Sequence, residues 1–171
     1  MTEEMLPVLN ESFEVVDSAP RSVCHDGRSF LLHPVVHLHI IRGDSILLQK
    51  RSHKKKIQPG KWDTCVGGHI SYGETVTEAL MRETAEELGV DASAARFLKA
   101  YLFRSPVERE YINIHILQVS DDFDVSVSND EVTEVRFWKT DEILSEGNRT
   151  LFTPNFLYEL TTYLLTDNER K

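Results

Sequence analysis

The segment from Gly67 to Val90 limits the fold most tightly. It opens on Gly67-Gly68-His69 and ends on Arg82-Glu83-Thr84-Ala85-Glu86-Glu87-Leu88-Gly89-Val90. Ser71-Tyr72-Gly73-Glu74 has the form of a capping box, in which the serine oxygen accepts from the third amide and the glutamate reaches back. Gly89 stands where a helix stops, because glycine takes the left-handed conformation without steric cost. The spacing predicts a helix over 72–88. At about 100° per residue, Val76, Ala79 and Leu80 share a face with Glu83, Glu86 and Glu87. The first half of that face is apolar and suits packing on a sheet. The second half points three carboxylates in one direction. Like charges at these spacings cost roughly 0.2–0.5 kcal/mol per pair on an exposed helix. Partial burial raises the cost unless a cation lies between them. Arg82, expected to pair with Glu78 and Glu86, offsets only part of the charge. A solvated acidic surface is the plain alternative, but the capping pattern, the apolar half-face and the upstream glycines favour a cation site. Hard carboxylate oxygens suit Mg²⁺ or Mn²⁺, which keep waters and share phosphate oxygens.

Around this helix the pattern is mostly β. VVHLHIIR and SILLQKR flank Gly43-Asp44 and predict a hairpin. KWDTCV, FLKAYLFR, EYINIHILQV and VTEVRFWK are further strands. Residues 1–32 look like an N-terminal extension with a short strand, SFEVVD, and a turn at Ala19-Pro20. TDEILSE predicts a short helix capped by Thr140. Thr153-Pro154 starts a last amphipathic helix through Leu165, with proline at a tolerated first position; this C-terminal element is assigned to 150–171. Phe152, Phe156 and Tyr158 lie there, as helix core or as stacking surfaces for a base. Strands and helices do not alternate strictly, so the expected class is α+β with a mixed sheet. No repeat or long linker interrupts the chain, and 1–171 is expected to be one domain.

Charge excludes some functions. The 171 residues carry a formal net charge of −9, which argues against general nucleic-acid or anionic-membrane binding. No apolar run nears the ~20 residues that span a bilayer. The start lacks a basic region before an apolar run. A soluble cytoplasmic protein is expected. Cys24 and Cys65 form neither a disulfide framework nor a CxxC pair.

Gly68, five residues, Glu74, seven residues, then Arg82-Glu83-Thr84-Ala85-Glu86-Glu87-Leu88-Gly89-Val90 resembles the Nudix box across 68–90. Every fixed position matches. Thr84 alone departs, standing where an aliphatic residue is usual. The resemblance implies an α/β/α sandwich with a mixed sheet. It also implies Mg²⁺-dependent (or Mn²⁺-dependent) hydrolysis of a small-molecule diphosphate, a nucleoside diphosphate linked to another moiety. By the same implication Glu83, Glu86 and Glu87 hold metal with the Gly68 carbonyl, and Arg82 and Glu74 orient the carboxylates. The physics agrees, since divalent ions neutralise diphosphate oxygens and activate a bound water, and a carboxylate takes its proton. Glu83 and Glu108 are both candidates for that base. A homodimer is compatible with the sequence, which does not fix the oligomeric state.

KRSHKKK, residues 50–56, is the opposite pole: a solvated basic loop, or a clamp for an anionic substrate facing the acidic helix. Residues 20–120 also resemble the isopentenyl-diphosphate isomerase branch of the superfamily. Arg51 and Lys55 match its diphosphate-contacting basic pair. Leu32-His33, the Pro-Gly-x-Trp run ending at Trp62, His69, and Glu108-x-Glu110 match too. In that branch two upstream histidines, the histidine after the glycine and two glutamates bind a divalent metal. This implies a set of His33, His69, Glu108 and Glu110, with His25 as the remaining ligand. His37, His39 and His53 are expected to be ordinary strand or loop histidines. One departure speaks against isomerase chemistry: Gly67 occupies the place of the branch's catalytic cysteine, and Cys65 lies two residues back. The expectation is an isomerase-like scaffold running hydrolase chemistry, with a prenyl-diphosphate isomerase and a silent nucleotide-binding module as alternatives.

Overall fold

The structure is a computed structural model that describes residues 3–55, 57–125, 127 and 132–168. A two-stranded N-terminal hairpin, β1 (Met5–Leu9) and β2 (Val15–Pro20), leads into a short helix α1 (Arg21–Cys24). A mixed sheet follows: β3 (Leu32–Arg42), β4 (Ser45–Arg51), β5 (Trp62–Thr64), β6 (Val66–His69), β7 (Arg96–Arg104), β8 (Arg109–Gln118) and β9 (Val132–Lys139). The helices are α2 (Val76–Leu88), α3 (Thr140–Leu144) and α4 (Pro154–Glu159). The last continues through a π turn (Leu160–Leu164) into α5 (Leu165–Asn168).

The hairpin at Gly43 forms as expected, but β3 and β4 pair only near it, from Ile40↔Leu47 to Arg42↔Ser45. Beyond that the two strands diverge. KWDTCV, expected as one strand, breaks at Cys65 and fills the gap: β5 pairs with β4 and β6 pairs with β3. This wedge sets Gly67, Gly68 and His69 between the diverging strands. The other edge of β3 pairs in parallel with β8, which accounts for the mixed sheet.

Side-chain alternation along β3 sends successive residues to opposite faces. Val36, Leu38 and Ile40 pack with Ala79, Leu80 and Leu88 of α2. On the other side Ile41, Leu48, Trp62 and Trp138 pack with Phe152 and with Phe156, Leu160 and Leu164 of the C-terminal helix. Helices on both faces make the α/β/α sandwich. Each fully buried Leu, Ile or Phe contributes about 1.5–3 kcal/mol relative to exposure. Phe152 and Phe156 are core residues, whereas Tyr158 is exposed.

Four local expectations need correction. Helix α3 has Lys139 as its N-cap, and Thr140, expected as the cap, is its first residue. Helix α2 begins later than Ser71, with Thr75 as its N-cap and Glu78 completing the box. Gly73 in the left-handed region (φ 88°) turns the chain between Ser71 and Thr75, so no helix can run through it. The N-terminal turn lies at Asn10–Glu14 rather than Ala19-Pro20, which end β2. The SFEVVD strand starts only at Val15 and pairs with an unforeseen β1. Gly89 does cap α2 at φ 66°, and Thr153 does cap α4. Among the described residues no helix is long and apolar enough to cross a membrane.

Candidate active site

Helix α2 and strand β6 build the first constellation. An ideal Cβ placed on Gly68 would lie 2.0 Å from Glu83 Cδ, so the Glu83 carboxylate occupies the space that any side chain at 68 would fill. Arg82 holds this arrangement. Its Nε and Nη2 donate to the two oxygens of Glu74, each at 2.8 Å, and its Nη1 donates to Glu83 Oε1 at 2.8 Å. Nη2 also donates to the His69 carbonyl, and Glu86 lies 3.5 Å from Nη1. The expected pairing of Arg82 with Glu78 does not form, because Glu78 bonds Thr75 instead. Burial pushes the Glu83 carboxyl up, against the pull of Arg82. Glu74 is held down by its Arg82 bonds. Gln49 donates to Glu87 at 3.1 Å.

A cleft of about 380 Å³ opens over this face. Gly68, Arg82, Glu83, Glu86 and Glu87 line it together with Arg51 and Lys55. Two basic residues of the 50–56 stretch thus share a cleft with the acidic helix. Arg51 is set by Asp63 at 2.9 Å and by the Ile57 carbonyl. Glu74 stands behind Arg82, beside a larger, shallow depression of about 680 Å³ that contains none of Glu83, Glu86 and Glu87. Sequence reasoning missed Glu4, Arg21 and Gln49, which also line the cleft. Gln49 carried a signal, standing two residues before Arg51 on the same strand. The other two arrive on the N-terminal hairpin and α1, and no local pattern announces them.

A second constellation lies on the opposite face of β6. His25, His33, His69 and Glu110 each offer an atom within 4.8 Å of the others. His25 Nε2 is 3.1 Å from His69 Nε2 and 3.3 Å from Glu108. Second contacts fix the rings: His25 Nδ1 meets the Arg21 carbonyl at 2.8 Å, and His33 Nδ1 meets the Leu31 carbonyl at 3.0 Å. A ring nitrogen that donates to a carbonyl leaves the other as a lone pair for a cation. His33 Nε2 is buried with no hydrogen-bond partner. Burial lowers His33 to about 4 and His69 to about 2, so both are neutral near pH 7. Burial, reinforced by Glu108, raises Glu110 to about 7.

Both donor sets suit divalent ions. Gly68, Glu83, Glu86 and Glu87 offer hard oxygen donors of the kind Mg²⁺ or Mn²⁺ takes and line one cleft, but among the described residues only the histidine–glutamate group brings its ligand atoms within 4.8 Å of one another. The histidine–glutamate set is mixed nitrogen and oxygen, with an orphaned buried nitrogen directed into it. Cys65 offers no substitute for a thiol at position 67. It is fully buried, its Sγ donates to the Leu38 carbonyl, and burial pushes it up to about 12. His37 and His39 are the unexpected residues. They share the buried carboxylate of Glu159, both at 2.7 Å.

The NUDIX domain family model matches residues 31–160. An uncharacterized Nudix hydrolase of Pseudomonas aeruginosa is 25% identical over 161 residues, covering 94% of both chains. An isopentenyl-diphosphate Delta-isomerase of Rhodobacter capsulatus is 26% identical, covering 90% of this chain and 89% of its own. A Deinococcus radiodurans protein of known crystal structure superposes with a TM-score of 0.74 at 24% identity, over 92% of this chain and 96% of that one. The chain belongs to the NUDIX domain family and is by family a Nudix hydrolase, and proteins named isopentenyl-diphosphate isomerase are among those it is similar to.

Proposed function

We propose that this chain is a metal-dependent pyrophosphohydrolase that cleaves a phosphoanhydride bond in a nucleoside diphosphate linked to another moiety. The observation that carries the reading is one cleft lined by Glu83, Glu86 and Glu87 and also by Arg51 and Lys55. A diphosphate needs both poles. Mg²⁺ or Mn²⁺, held by the Gly68 carbonyl and these glutamates, would neutralise phosphate oxygens and lower the pKa of a bound water. Arg82 orients Glu83 and is itself oriented by Glu74. Arg51 and Lys55 bind the diphosphate. Glu83 is the better placed of the two candidate bases: it lies on the carboxylate face, and burial raises its proton affinity. Glu108 sits beside His25 on the other face.

The His25, His33, His69 and Glu110 cluster supports a second divalent site, as the isomerase resemblance implies. It does not by itself favour isomerase turnover, which needs an acid–base partner for Glu110 where Gly67 stands. A binding module without turnover is disfavoured by the intact carboxylate face.

The test is a cleavage assay with nucleoside triphosphates, nucleotide sugars, ADP-ribose, dinucleoside polyphosphates, NADH and isopentenyl diphosphate, each with Mg²⁺ or with chelator. Metal-dependent phosphate-bond cleavage of any member supports the reading. Conversion of isopentenyl diphosphate to its allylic isomer, without hydrolysis of any member, overturns it.

A further inference from the structure

We infer that His37 contacts the organic moiety of the substrate through the opening left by Gly67, its ring held in place by Glu159, and so selects a nucleoside over a hydrocarbon tail. This rests on the hydrolase reading above and names a specificity residue within it.

The geometry begins at β6. Successive strand residues face opposite ways. Gly68, opposite Val36, opens toward Glu83 and the metal face; Gly67, opposite His37, opens toward the His37 ring. An ideal Cβ on Gly67 would lie 3.4 Å from both Cδ2 and Nε2 of His37. Gly67 is exposed and lines the cleft. A substrate atom seated over Gly67 therefore comes within hydrogen-bond range of Nε2.

The ring cannot turn away. Its Nδ1 donates to Glu159 Oε1 at 2.7 Å, and Glu159 is fully buried. The same carboxylate accepts from His39 Nε2 and Tyr101 Oη, each at 2.7 Å, and the Tyr101 hydroxyl also lies 2.7 Å from the Asn155 side-chain amide. Glu159 ends α4 at the π turn, a helix irregularity that is frequent at functional sites. No described residue takes His37 Nε2. Burial works against a charge on His37, but Glu159 outweighs it and lifts the ring to about 9. Both ring nitrogens then carry protons near pH 7, and Nε2 is a donor. It suits a carbonyl oxygen or ring nitrogen of a nucleobase, whereas a hydrocarbon tail leaves it unpaired.

A phosphate oxygen is the other acceptor to consider. In the hydrolase reading, however, the diphosphate would be held by the α2 carboxylates with Arg51 and Lys55, and Glu83 stands on the Gly68 side of β6, whereas His37 stands on the Gly67 side. The organic moiety is the part that reaches past Gly67. The surroundings there are polar: Asp63, which bonds Arg51 and Thr153, and Glu110 both act on the His37 charge.

The test is titration calorimetry with Mg²⁺, comparing α,β-methylene analogues of ADP, CDP, GDP and UDP with methylenediphosphonate, which carries only the diphosphate half. Wild type, His37→Asn and Gly67→Ala are compared; the alanine methyl would stand 3.4 Å from the Cδ2–Nε2 edge, covering it on the side away from the Nδ1 bond to Glu159. At least one nucleotide analogue should bind wild type about tenfold tighter than methylenediphosphonate, and both variants should lose most of that preference. Methylenediphosphonate affinity should stay within about twofold. A preference unchanged in either variant overturns the inference, as does a parallel loss of both ligands, which marks a structural role. Absence of any preference in wild type overturns it too. Metal-dependent methylenediphosphonate binding would then leave the hydrolase reading standing, and its absence would remove both.

Discussion

The Glu83 carboxylate lies where a side chain on Gly68 would be, with only 2.0 Å between its Cδ and an ideal Cβ at that position. Gly68 does not need a left-handed conformation; it needs the absence of a side chain. Gly68→Ala should drive Glu83 off its Arg82 bond and cut turnover about 100-fold or more, on the scale of losing a positioned charge. The melting temperature should change little, because Glu83 can swing toward the cleft. Steady-state kinetics beside a thermal melt checks this, and near-normal turnover would contradict it.

Glu86→Gln and Glu87→Gln should each lower turnover by orders of magnitude while the fold persists. Glu86 is exposed, with 62% of its side chain accessible, so its charge is not needed for packing. Removing a like charge from the i, i+3, i+4 set is worth about 0.2–0.5 kcal/mol on a helix. For Glu86 this gain is offset by loss of the longer Arg82 contact. Melting temperatures should therefore hold or rise slightly. Unchanged turnover in both variants would remove the metal-face assignment.

Arg82→Lys keeps the charge and loses the fork that grips Glu74 with two bonds and Glu83 with a third. A lysine is a point charge and cannot reproduce that planar geometry. We expect turnover to fall about 10- to 100-fold with weaker Mg²⁺ activation, as for loss of an outer-shell partner. A variant with normal Mg²⁺ dependence would show that Arg82 does not orient the ligands.

The buried His37–Glu159 pair ties stability to pH. His37 is raised from 6.5 to about 9, so its contribution is complete below pH 6.5 and is lost as pH rises through 9. Glu159 is depressed by His37 and His39 despite burial, so its contribution is present above the ordinary carboxylate range and is lost on strong acidification. Glu110, raised to about 7, loses its contribution earlier in the alkaline direction, between about 4.5 and 7. Urea denaturation at pH 6.5 and pH 9 should show a loss on the order of 1–3 kcal/mol in wild type. His37→Asn should be less stable overall but flatter between those pH values. An equal slope in both proteins would separate His37 from the effect.

The histidine cluster makes its own prediction. Mn²⁺ titration followed by electron paramagnetic resonance should resolve two classes of site in wild type. His33→Ala should abolish one class and leave the class that Glu87→Gln weakens. A single class, insensitive to His33→Ala, would mean that the rings merely pack together.

Much of this was legible in the sequence for identifiable reasons. The α2 carboxylates declared themselves because an acid face continuing an apolar face is costly without a cation. The start of α2 was misplaced because Ser71-x-x-Glu74 and Thr75-x-x-Glu78 both have box form, and Gly73 decides between them by turning the chain. Glu74 then serves Arg82, while its Oε2 still accepts from the Ser71 amide. His37 and His39 looked like ordinary strand histidines because their partner, Glu159, is more than 100 residues away in a helix that reads as amphipathic. Arg21 and Glu4 reach the cleft only because the N-terminal hairpin folds back over it. Contacts made by distant segments leave no local period to read.

The central claim is water attack on a phosphoanhydride, organised by the α2 carboxylates. Its most direct measurement is turnover of the best substrate from the panel in ¹⁸O-labelled water with Mg²⁺, followed by mass spectrometry of the products. The account predicts one ¹⁸O in a product phosphate, with product formation strongly reduced by chelator and by Glu87→Gln. Products without label, or labelled products formed equally well by Glu87→Gln, would contradict it.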